Sequence, residues 1–138
     1  MFANVNFWAV LVSSVVSMII GSIWYGPLFG KIFMDAMGMK EWSPKQKAEM
    51  KKRMVLTYIV QFIGSIVMFY VLAGLIVGFG HLDLIGGIET ALILWIGIIV
   101  PLKLGDALWG GKMKLFWLSI GNMLITLLAA GIIIGVWK

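Results

Sequence analysis

Apolar positions in this chain are not spread in a regular alternation. They fall into four unbroken runs, at about residues 7–28, 54–79, 88–104 and 115–137. Each is close to the ~20 residues that a helix needs to cross a hydrocarbon core. Strands of a membrane barrel are about half as long and alternate apolar with polar, which these runs do not. Helices are the remaining way to satisfy every backbone N–H and C=O in lipid. The pattern therefore predicts an all-α fold: an integral membrane bundle of four transmembrane helices, one domain over residues 1–138. The first run has no Lys or Arg before it and no small-x-small site after it, so it is expected to stay as a mature helix rather than leave as a signal peptide.

The stretch between the first two runs, about residues 29–53, carries helix punctuation of its own. In "WYGPLFGK" Trp24 and Tyr25 suit the headgroup belt, Pro27 removes a backbone donor and Lys31 can reach lipid phosphates. That stretch reads as a helix that kinks or ends at the interface. "KIFMDAMGM" predicts a short helix lying flat in the interface and closed by Gly38. "WSPKQKAEM" predicts a fresh helix start. Ser43 is its N-cap, Pro44 its first position and Gln46 stands at the capping-box spacing. The helix runs on into the second span. "GFGHLDLIGG" predicts a tight turn between spans two and three.

Composition identifies the solvent. Of 138 residues, 62% are hydrophobic and 12% charged, and the mean hydropathy is +1.04. A water-soluble domain of this size cannot hide so much apolar surface, so lipid is the expected partner. The absence of cysteine excludes disulfides, thiolate metal sites and cysteine nucleophiles, and the single His81 cannot build a multi-histidine site in one subunit.

Charge then gives orientation. Lys31, Lys40, Lys45, Lys47, Lys51, Lys52 and Arg53 lie between spans one and two, and Lys103, Lys112 and Lys114 lie between spans three and four. With four spans these loops share one side, and the other side has only Lys138. This bias predicts a multi-pass membrane protein with both loops cytoplasmic and both termini outside. The net charge of +5 is on this reading a topology signal, and no nucleic acid partner is expected.

Helices in lipid associate through small residues and a few polar contacts. Span one shows Ala9, Ser13, Ser17 and Gly21 at four-residue spacing, span two shows Thr57, Gln61 and Ser65, and span four shows Ser119, Asn122 and Thr126, then the pair Gly131 and Gly135. These stripes predict a tightly packed bundle with faces left over for a homo-oligomer. A sharper possibility is a polar path through Gln61, Asn122, Thr126, Lys103 and Asp106, the last two spaced to pair on one helical face. His81, Asp83 and Glu89 fit no familiar zinc spacing. No catalytic grouping, cofactor motif or metal site is expected. The two halves share a plan, an inward helix with a proline near its end and then a returning helix, so any repeat would be parallel rather than inverted.

The segments "NVNFWAVLVSSVVSMIIGSIWYGPLFGKIFM", "YIVQFIGSIVMFYVLAGLI", "ALILWIGIIVPLKLGDALWGGKMKLF" and "AAGIIIGVWK" resemble a bacterial membrane family catalogued as domain of unknown function 1761. Its most specific parts are the Trp-Tyr-x-Pro exit of span one and the Trp-x-Gly…Pro pattern of span three. The resemblance implies four transmembrane helices in a prokaryotic inner membrane and supplies no activity. The expected function is that of a non-enzymatic, self-associating membrane protein, with a small-solute or ion transporter or channel built by a homo-oligomer as the rival and a lipid-directed enzyme third.

Overall fold

The first helix begins where Asn6 can cap it: its Oδ1 accepts from the backbone N–H groups of Trp8 and Ala9 at 3.1 and 3.3 Å. In the computed structural model, which describes residues 4–80 and 82–137, helix α1 (Phe7–Ile23) widens into a π-turn at Trp24–Leu28. Pro27 lacks the N–H that an α-helix would aim at Ile23. The turn closes instead with the Phe29 N–H on the Trp24 carbonyl, five residues back, at 2.9 Å. Chain direction changes at Phe29, and helix α2 (Gly30–Met37) follows. Gly30 sits where a Cβ would come within 3.0 Å of the Tyr25 carbonyl. As the sequence predicts, α2 closes at Gly38, whose φ of 72° is left-handed.

A 3₁₀ turn (Met39–Glu41) leads to helix α3 (Pro44–Gly78), 35 residues without a break. Its start is the expected capping box. Ser43 Oγ accepts from the Gln46 N–H at 3.2 Å, and Gln46 Oε1 accepts from the Ser43 N–H at 2.9 Å. Helix α4 (Leu84–Leu94) begins four residues before the predicted span, since Asp83 is its N-cap. It passes through a second π-turn (Trp95–Ile99) into helix α5 (Val100–Gly110), so span three is longer at both ends than its apolar run. Gly111, φ 69°, turns the chain into helix α6 (Met113–Val136). Four spans result, Phe7–Leu28, Pro44–Gly78, Leu84–Gly110 and Met113–Val136, each long and apolar enough to cross a membrane.

The lysine-rich loops share one end of the bundle, here the basic end. The main core lies towards the opposite, far end, where Val10, Phe69, Leu72, Ile76, Leu127 and Ile134 interlock. A smaller cluster of Ala107, Phe116 and Ile120 lies nearer the basic end. Helix α6 is the hub, packed most extensively on α4 and then α1. Its crossing with α4 is a backbone contact. A Cβ on Gly87 would collide with the Gly131 carbonyl, one on Gly131 with the Gly87 carbonyl, and one on Gly135 with the Asp83 carbonyl. Gly86 and Gly87 read as turn residues in the sequence, but both are helical and buried here. Lipid tails are as apolar as leucine, so close approach of this kind, rather than removal of surface from water, holds the pair together.

Candidate functional site

Both π-turns begin with a tryptophan, and both tryptophans grip the same turn of α6. Trp24 Nε1 donates to the Leu118 carbonyl at 3.0 Å, and Trp95 Nε1 donates to the Ile120 carbonyl at 2.8 Å. These carbonyls lie inside a helix, so each indole uses an acceptor's second lone pair. The edge of Trp24 lies over Gly121, where a Cβ would come within 2.8 Å of the ring. Phe29 packs on Trp24 with centroids 4.6 Å apart, and Phe33 packs edge-on to Tyr25 at 4.8 Å. The Tyr25 and Ser119 hydroxyls lie near each other. The stretch that opens with Trp24 is therefore a clamp on α6. Trp95 is its second jaw, a role the sequence reading missed although Trp-x-Gly stands in both halves, at 24–26 and 95–97. Because both jaws close on α6, the shared plan of the two halves is not repeated in their contacts.

Just beyond the clamp, α6 carries two orphan oxygens. Asn122 Oδ1 and Thr126 Oγ1 are fully covered and have no hydrogen-bond partner among the described residues, and Ser13 Oγ on α1 is in the same condition. Other hydroxyls behave differently. Those of Ser14, Ser22, Ser65 and Thr90 each donate to the carbonyl four residues back at 2.8–2.9 Å. An orphaned hydroxyl costs about 1–3 kcal/mol of desolvation.

The five residues of the predicted polar path do not converge. Asn122 and Thr126 face the interior of the bundle, whereas Gln61 is exposed on α3. Lys103 is half-buried and Asp106 exposed on the unbroken helix α5, and no ion pair joins them. None of the five lines the two surface grooves, of about 420 and 260 Å³. At the far end Asp83 is occupied as a helix cap, Glu89 borders the smaller groove, and His81 lies outside the described residues. No group of three metal-ligating side chains occurs among the described residues.

The small-residue stripe of α1 changes character along its length. Ala9 and Ser13 are buried, Ser17 meets the Ser65 hydroxyl of α3 at 3.5 Å, and Gly21 has open space where a Cβ would stand. Past the Ser17–Ser65 contact α3 leaves the bundle. Every residue from Pro44 to Gln61 is exposed, and in its apolar part Val55, Leu56 and Val60 are 68%, 63% and 60% exposed. The larger groove opens there as a wedge, walled by Val15, Met18, Ile19, Ser22 and Ile23 of α1 and by Phe62 of α3. The Gln61 amide makes no hydrogen bond to any described residue.

A family model described as "Protein of unknown function (DUF1761)" matches residues 8–135, and the chain belongs to that family. No curated protein and no solved structure gives a significant match.

Proposed function

From membership of that family as premise, we propose that the chain is a non-enzymatic inner-membrane protein that acts by associating with itself. Its basic loops face the cytoplasm and both termini lie outside. The orientation rests on ten cations in the two loops of one end against Lys138 at the other. Self-association rests on one observation above all: the half of α3 next to the basic loop, up to Gln61, is exposed throughout, with no packing partner among the described residues. Native mass spectrometry of the full chain in mild detergent tests it, with oligomer masses expected and monomer alone overturning it. For orientation, Lys47→Cys is the sole thiol in this cysteine-free chain. A membrane-impermeant maleimide should reach it only after intact cells are permeabilised, and labelling before that reverses the topology.

A second reading, a small-solute or ion transporter formed by the same oligomer, draws on the orphan oxygens of Asn122 and Thr126. It requires solute flux into proteoliposomes that Asn122→Leu abolishes while the oligomer persists.

A further inference from the structure

A membrane protein associates where a surface is worse served by lipid than by another protein. The half of α3 next to the basic loops is such a surface. Helical spacing puts Met54, Tyr58, Gln61 and Ser65 on one side of α3. Ser65 meets α1, and the other three, on the same side, are exposed beside the wedge, whose α3 wall is Phe62. Gln61 is eight residues beyond Arg53, roughly 12 Å further along the helix. With Lys51, Lys52 and Arg53 at the surface, that places it near the middle of a ~30 Å hydrocarbon core.

A primary amide there offers two donors and an acceptor, and acyl chains answer neither. It is also self-complementary, since the same group that donates can accept. Copies inserted by one route share an orientation, so identical residues lie at identical depth. A two-fold axis along the membrane normal is then the closed two-copy arrangement that brings Gln61 to Gln61. Open space at Gly21 lets the backbones approach.

We propose that two copies of this chain dock in parallel through the exposed face of α3 beside the wedge, with the Gln61 amides of the two copies hydrogen-bonded to each other. This rests on the self-association reading and names its surface.

The cysteine-free sequence suits a disulfide test on full-length protein in phosphatidylethanolamine–phosphatidylglycerol vesicles. Tyr58→Cys, which keeps Gln61, and Gln61→Cys should cross-link under copper phenanthroline roughly tenfold faster than Leu56→Cys and Ile63→Cys on the opposite side of the helix. Gln61→Leu should raise the dimer dissociation constant, measured by energy transfer on dilution into lipid, about 5–30-fold. Equal rates on both sides, faster cross-linking at 56 and 63, or an unchanged dissociation constant in Gln61→Leu overturns this contact. An oligomer that persists without cross-linking at 58 or 61 overturns it and leaves self-association standing. Monomer throughout overturns both.

Discussion

Helices α3 and α6 occupy equivalent places in the chain. Each follows a basic loop and runs back along the bundle, and both are apolar enough to span a membrane. Their surroundings differ. Helix α6 is buried at intervals along its whole length, from Phe116 through Leu127 to Ile134, whereas α3 is buried only from Ser65 onwards. Apolarity does not explain this. The difference lies in size and donors. Helix α6 offers Gly121, Gly131 and Gly135 to its neighbours and receives two indole N–H groups, whereas the bare half of α3 is studded with Leu56, Ile59, Val60 and Ile63. In lipid, where bulky side chains gain little by leaving their solvent, close backbone approach and hydrogen bonds decide which helix enters the core.

Gly131→Leu attacks that comparison hardest. Its side chain would run into the Gly87 backbone and the Ala91 Cβ, so it should cost about 3 kcal/mol in unfolding by sodium dodecyl sulfate from mild detergent. Gly64→Leu on α3, with open space at the site, should stay within about 0.5 kcal/mol. Next come the jaws. Trp24→Phe or Trp95→Phe removes an indole donor and ring volume from the turn at 118–121, for about 2 kcal/mol each in the same titration. The smallest effect has the opposite sign. Thr126→Val keeps the shape, removes an orphan hydroxyl and should stabilise by about 1 kcal/mol. Thr57→Val, exposed on α3, should do almost nothing. If the two helices responded alike to these pairs, the contrast between them would dissolve.

The parts of this fold that were legible in the sequence are those fixed by neighbours along the chain. Ser43, Pro44 and Gln46 announce a capping box, Gly38 a helix end, and four apolar runs announce four spans. The misreadings occurred where one residue type has two uses. Gly86 and Gly87 look like turn residues because glycine often punctuates chains in water, but here they form a flat packing surface against α6. Lys103 and Asp106 have pairing spacing on a continuous helix, yet Lys103 is half-buried and Asp106 exposed, without an ion pair. The π-turns were only half visible. Pro27 and Pro101 signal trouble in the hydrogen-bond ladder, but that the ladder widens, and turns a tryptophan onto α6, depends on helices distant in sequence. Gln61 and Asn122 have similar chemistry, and only the fold separates an amide facing out from one facing in.

The unbroken length of α3 has a mechanical consequence. The rod is gripped at Ser65, about 31 Å from its tip at Pro44 and about 6 Å from Gln61 at 1.5 Å per residue. With no proline after its first position and no glycine before Gly64, it transmits bending as a stiff lever of roughly five to one. Anything that tugs the tip sideways by several ångströms shifts the Gln61 amide by about one.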